Sequence, residues 1–289
     1  MDSLLRRVFR TKIDGLKGEN FQSFIEYLFI IKFEEKFTCI KKKKDGGCDG
    51  ILNGDTCLAV YAPIKYNINK FKRKIKTDYE DYTKNWQQDL PKWKFIFNGE
   101  LTKDNIKFVN KITKQAEFMD INQILNQIDQ MNWPNKRKIA NYLNIDEDFF
   151  VNDILKEVID DLLEKDSHDF SQNELKKKNP PYLPDKVNKN FSKMDVQGIL
   201  DEFDNNVPYR NRLKDVLIPY EDSEIRKIKC IILTEYNSLG GNFKTRLNNL
   251  ANLFSERNRK DTLYVFYVRI VLLYFFEICL IGEQVEDEK

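Results

Sequence analysis

The chain has 289 residues, 41% hydrophobic and 33% charged, with only 11 Gly and 8 Pro; that is apolar material for one large or two ordinary domains and argues against a disordered or fibrous chain. Its net charge of +2 is unevenly placed: residues 1–120 carry 24 Lys/Arg against 17 Asp/Glu, and the rest carry 24 against 29, so only the N-terminal half suits a polyanionic partner. A single histidine, His168, and five cysteines without CxxC spacing argue against Ser-His-Asp or Cys-His catalysis and histidine-rich zinc sites; with no secretory signal, the expectation is a reducing cytoplasm.

In chain order, residues 18–33 predict a helix. Phe21, Phe24, Ile25, Leu28 and Phe29 recur at helical spacing, and Glu19, Gln22 and Glu26 share a neighbouring stripe. Strand-like runs follow at Phe37–Lys41 and at Ile51 and Cys57–Ala62, with turn signals at Gly46-Gly47 and Asn53-Gly54. Asn67–Gln88 has helical spacing, and Trp93–Phe97 is a short strand ending at Asn98-Gly99. Further helices are expected from Asp104 and Asp120. This order predicts an α/β domain over 1–125, a mixed sheet flanked by helices.

Residues 126–190 read as a helical segment, broken at Trp133-Pro134, and a linker. The linker candidate, Lys165–Phe191, contains KKKNPPYLPDK. Residues 191–289 read as a mainly α-helical domain with a strand-like patch at Ile228–Leu233 and a break at Gly240-Gly241. The tail Leu263–Ile281 is apolar but interrupted by Arg269 and Glu277. A spanning helix needs about 20 mostly apolar residues, so a buried helix is expected and no membrane partner.

The chemistry concentrates in Lys41–Lys76. Asp45 and Asp49 lie in a glycine-rich turn behind Lys41, Lys42, Lys43 and Lys44. Metal-dependent cleavage of a phosphodiester needs oxygen ligands for Mg²⁺ (or Mn²⁺) and a lysine near the phosphate. An acid opening one strand, with an acid or amide and a lysine two apart on the next, gathers these on one face. Asp49 fits the first position, whereas Ala59 and Tyr61 stand at the other two. The same Asp is also a common turn former, and Cys48 and Cys57 read as small core residues.

Several motifs together resemble defence-associated nuclease-like domains. These are GxxFQxF (Gly18, Phe21, Gln22, Phe24), DxxCDG (Asp45, Cys48, Asp49, Gly50), VYAP (Val60, Tyr61, Ala62, Pro63), KIxxDY (Lys74, Ile75, Asp78, Tyr79), Trp86 and WxFxxN (Trp93, Phe95, Asn98). Such domains are similar to restriction endonucleases of the PD-(D/E)xK type and open effector subunits of ABC-three-component, Lamassu-like antiphage systems. The resemblance implies a restriction-endonuclease-like sheet and a Mg²⁺-dependent DNA endonuclease. It makes Asp49 a metal ligand and Gln22, with Glu19 and Glu26 as rivals, the helix contributor. It makes Lys65 the phosphate-facing lysine, with Lys74 next. Lys41–Lys44 and the cluster Lys70–Lys76, Lys72 and Lys74 above all, would hold double-stranded DNA. The family has glutamine at the position of Ala59 and an acid at that of Ile64. Three readings follow: cleavage with Lys65 and a helix acid, a degenerate fold that binds DNA or a partner, or an enzyme silenced at Ala59.

KCIILTEYN (Lys229–Asn237), FKTRLNNL (Phe243–Leu250) and YFFEICLIGE (Tyr274–Glu283) resemble the C-terminal domain of the same effector subunits. That resemblance implies docking to an SMC-like ABC ATPase and a small third subunit through Phe275, Phe276, Glu277 and Cys279, with oligomerisation on activation as a further expectation.

Overall fold

The structure, a computed structural model, describes residues 4–40, 46–114, 116–166, 182–278 and 280–283. The chain divides into two compact units, Met1–Asp146 and Glu147–Lys289. Lys41–Lys44, Asp45, His168 and Cys279 lie outside the described residues.

Unit 1 is α/β. It opens with α1 (Leu4–Gly15) and α2 (Glu19–Phe33), followed by β1 (Phe37–Cys39), β2 (Gly50–Leu52) and β3 (Thr56–Tyr61). Then come α3 (Ile68–Asn85), β4 (Lys92–Phe97), α4 (Lys103–Ile112), β5 (Ala116–Met119), α5 (Ile121–Asp129) and α6 (Trp133–Tyr142). Among the described residues the strands form one mixed sheet in the order β1-β2-β3-β4-β5. The first three are antiparallel, and β4 and β5 run parallel to β3 and to each other. Parallel neighbours need crossovers, and α3 and α4 supply them.

Alternation along β3 sorts its side chains. Cys57, Ala59 and Tyr61 face α3 and share a core cluster with Phe71, Ile75, Tyr82, Trp93, Phe95 and Phe97. The other face carries Phe37, whose ring lies 5.5 Å from that of Phe29 of α2. The two helices therefore cover opposite faces of the sheet.

Unit 1 extends beyond the boundary expected at residue 125. The reason is packing: α5 lies on α1 and α6 on α2, Arg6 pairs with Asp129, and Tyr27 stacks on Tyr142 at 4.6 Å. The break expected at Trp133-Pro134 is the junction of two helices: α5 ends at Asp129 and α6 opens at Trp133. Asn132 caps it, and Pro134 sits in the first turn, where no intrahelical N–H is needed. Two elements, α1 and β5, were not legible in the sequence; β5 is only four residues, with a single buried side chain.

Unit 2 is helical among the described residues: α7 (Glu147–Leu163), α8 (Leu183–Asn190), α9 (Val196–Asn205), α10 (Val207–Leu217), α11 (Asp222–Ser238), α12 (Phe243–Phe254) and α13 (Thr262–Glu277). The strand-like patch Ile228–Leu233 lies inside α11. Ile228, Ile231 and Ile232 are buried at helical spacing, and a Glu221–Glu224 capping box starts the helix. The end of the linker candidate is ordered as α8. The apolar helix α13 packs on α7, α10 and α12, with nine of its 16 residues buried. No helix among the described residues is long and apolar enough to cross a membrane.

Candidate functional site

The β2–β3 hairpin turns at Asn53 and Gly54, both at positive φ (55° and 72°), a backbone that Asn and Gly tolerate. Its register pairs Gly50 with Leu58, and Asp49 lies just ahead of that ladder. Its side chain lines the same cavity as Tyr61 and the residues of α3, so Asp49 points to the α3 side. Its backbone N–H donates to the Leu58 carbonyl at 2.7 Å. The Val60 N–H donates to its Oδ2 at 2.6 Å. The carboxylate is thus tied to the neighbouring strand.

On this side lies a cavity of about 390 Å³. The hairpin contributes Gly47, Asp49 and Tyr61. From α3 come Lys70, Arg73, Lys74, Thr77, Asp78 and Asp81, spaced three and four apart and therefore on one helix face. Asn67 fixes where that face begins, its side chain accepting from the N–H groups of Asn69 and Lys70 at 3.0 Å each. The stripe is bipolar, with three cations along its N-terminal half and two acids along its C-terminal half. That order runs against the helix dipole, which favours acids at the N-terminus and bases at the C-terminus. The cations and the positive helix end add up, as an anion site requires.

Lys74 Nζ donates to Asp78 Oδ1 at 2.7 Å. Asp78 is 5% exposed. Burial raises the Tyr61 hydroxyl above the ordinary phenol range, and Lys74 opposes that shift. Behind the cavity wall, Cys48 and Cys57 are buried core residues. Their thiols donate to the carbonyls of Gly50 (3.2 Å) and Gly47 (3.6 Å). The Cys57 hydrogen bond lowers the Cys48 thiol against the opposing effect of burial.

The residues singled out from sequence divide sharply. Asp49 and Lys74 meet at the cavity. Ala59 lies on the same sheet face, fully buried. Gln22 and Glu19 do not line the cavity: they belong to α2, which covers the opposite face, with Gln22 half-buried and Glu19 exposed. Glu26 also sits on α2, where its charge adds to burial in raising the Tyr142 hydroxyl. Lys65 is exposed on the connection after β3 and does not line the cavity either. Lys72 turns away, with its Nζ 5.3 Å from the ring centroid of Phe108. Lys70 and Arg73 belong to the Lys70–Lys76 cluster expected on a DNA backbone, whereas Asp78, Asp81 and Thr77 were assigned no role from sequence. The signal for Asp78 was present: Phe71, Ile75, Asp78 and Tyr82 form one buried stripe, and an acid stands where the period calls for an apolar residue.

For a divalent cation the donor set is open. Among the described residues no three His, Cys, Asp or Glu side chains group closely enough to hold a metal. Mg²⁺ commonly uses one or two carboxylates and takes the rest of its shell from water and substrate phosphate. Asp49, the acid of the hairpin wall, would supply one such carboxylate in a cavity also lined by Asp78, Asp81 and three cations, which is not a protein-only cage.

The C-terminal motif has a different fate. Phe275 and Phe276 are buried, at 1% and 0% exposure. The Phe276 ring lies among those of Phe191, Phe203 and Phe243 at 6.0, 5.9 and 4.8 Å. Glu277 accepts from Arg210 Nε at 2.8 Å, and buried Lys186 donates to the Phe276 carbonyl. These side chains close the core of unit 2 and cap α13, so Phe275 and Phe276 present no docking face.

Scans against protein-family models, curated proteins and solved structures return no match for this chain.

Proposed function

We propose that unit 1 is a restriction-endonuclease-like domain acting on double-stranded DNA, and that the chain is the endonuclease effector subunit of an antiphage complex built on an SMC-like ABC ATPase. The observation that carries the reading is Asp49. It directly precedes β2 and lines a cavity whose α3 wall holds Lys70, Arg73 and Lys74 together with Asp78 and Asp81. The three cations suit the phosphates of a nucleic-acid backbone, and Asp49 is the acid on the hairpin wall. Asp49 would hold Mg²⁺ (or Mn²⁺), which when bound supplies an acidified water and neutralises phosphate charge. Val60 N–H holds the Asp49 carboxylate in place, and the α3 cations bind the DNA backbone. Hydrolysis adds water across the ester: a new P–O bond forms, the bond to the leaving sugar oxygen breaks, and that oxygen takes a proton. The ATPase and a small third subunit belong to this reading as partners of unit 2.

Ala59 favours a second reading. It lies on the α3 side of β3 with no oxygen to offer, and Tyr61 takes the next position on that face. A degenerate domain that binds DNA without cutting it matches this pair.

Supercoiled plasmid incubated with the full chain and Mg²⁺ or Mn²⁺ separates the two. Nicking that disappears in Asp49→Asn supports the enzyme. Nicking only by Ala59→Gln identifies a silenced enzyme. If neither the chain nor Ala59→Gln nicks, and Asp49→Ala still binds DNA, the enzyme reading is wrong and the degenerate one stands.

A further inference from the structure

Asp78 occupies the stripe of α3 that faces the sheet, between Ile75 and Tyr82, and its side chain is 7% exposed. Burying a carboxylate is costly unless it is paired. Its partner is Lys74, one turn earlier and 44% exposed at the cavity. The pair is badly placed for helix stability. Asp is a weak helix former in a helix interior, and a base ahead of an acid at i,i+4 is the less favourable order. What the arrangement does accomplish is to fix the ammonium of Lys74 at the cavity wall.

We infer that Lys74 is the phosphate-contacting lysine of this site, carried by α3 instead of β3, and that Asp78 is its positioning residue. The inference rests on the nuclease-like reading of unit 1. On β3 the side chain that faces α3 after Ala59 is Tyr61, whose ring stacks on Phe97 at 6.1 Å, so the strand offers no lysine there. The facing helix supplies one into the same cavity. An ammonium has three donors and can keep Asp78 while meeting a phosphate oxygen. Lys70 and Arg73, one turn nearer the positive helix end, continue the path for a backbone. Gly47 explains how the two walls come together. It has φ +83°, and a Cβ on it would lie 2.8 Å from the Asp78 carbonyl oxygen. The turn ahead of Asp49 therefore rests on the α3 backbone at Asp78, an approach that only glycine permits.

The test is fluorescence anisotropy of a labelled duplex with the full chain in EDTA, across a salt series, so that binding is read without cleavage. Lys74→Met is expected to weaken binding roughly fivefold and to flatten the salt slope by about one. Lys74→Arg should recover the slope, and Lys65→Met should change neither. Asp78→Asn is the sharper variant. Removing a negative charge near DNA should by simple electrostatics tighten binding, whereas loss of a positioning residue reproduces the Lys74→Met loss. The double variant should then be no weaker than either single. Thermal melting checks each fold; if Asp78→Asn does not fold, the Lys74→Met and Lys74→Arg pair decides. Lys74→Met binding like the parent chain, or Asp78→Asn shifting only the melting temperature, overturns the inference and leaves the nuclease reading standing. A parent chain that binds no duplex overturns both.

Discussion

The hairpin cavity of unit 1 and the C-terminal end of α13 in unit 2 each bury a charge beside a motif that reads as functional. At the cavity, Asp78 is sunk into an apolar stripe, yet its partner Lys74 opens to solvent alongside Lys70 and Arg73. At α13, Arg210 is 7% exposed and its partner Glu277 a third exposed; the Arg210 Nη1 donates to the Phe203 carbonyl at 2.5 Å. The first arrangement spends stability to hold a charge beside other cations. The second ties its buried charge to a backbone carbonyl as well as to its partner at the end of a helix. What separates a site from a staple is what surrounds the pair: Lys74 stands with Lys70 and Arg73 on a cavity, whereas Arg210 lies over the ring of Phe203, and the sequence shows neither.

Mutations can break this contrast, starting with the largest effect. Phe276→Ala removes the ring that three other phenylalanines pack against, and a loss of about 3–5 kcal/mol is expected. Denaturant unfolding measures it, and a loss below about 1 kcal/mol would mean that the motif is not a core element after all. Glu277→Ala takes the carboxylate from Arg210 and leaves it the Phe203 carbonyl; because Glu277 is a third exposed, about 2 kcal/mol is expected, below the 3–5 kcal/mol of a fully buried pair. Gly47→Val combines a positive φ with a clash against the α3 backbone, and about 2 kcal/mol is expected. Melting and DNA binding should fall together here, since the turn joins the two cavity walls. Asp78→Leu sharpens the comparison from the other side. Removing one member of a buried pair is costly when the other charge stays buried, but Lys74 is 44% exposed, so the melting temperature should hold while DNA affinity drops. The smallest effect concerns alkaline pH. Burial pushes Tyr82 up to about 12, and its hydroxyl donates to the Leu90 carbonyl at 2.7 Å. A raised folded-state value means this stability is complete below the unfolded phenol value of about 10 and is lost as pH climbs toward 12. Tyr82→Phe should flatten the stability profile in that window.

Much of unit 1 could be read in advance. The α2 face, the hairpin, α3, β4 and the starts of α4 and α5 follow from local periodicity and turn chemistry, which act within a few residues. Asp49 was legible for the same reason: a glycine-rich turn before an alternating run places an acid at a strand start. The misses share one cause. Ile228–Leu233 looked like a strand because β-branched residues crowd together, but burial at helical spacing within unit 2 decided for α11. Lys65 looked central because it follows β3 closely, and Gln22 because helix contributors are common in such folds; distance along the chain said nothing about which face either would occupy.

The sequence by itself determined the α/β and helical character of the two units, the basic bias of the first, and the presence of an acid at the hairpin. Each of these is set by composition or by neighbours in the chain. Only the tertiary structure decided that α2 and α3 take opposite faces of the sheet. That one choice, made by alternation along β3 and by Phe29 packing on Phe37, removes Gln22 and Glu19 from the cavity. It sets Lys74 and Asp78 before Asp49. It also decided that Phe276 turns inward, because a helix apolar on every side is most stable when the rest of its unit wraps around it.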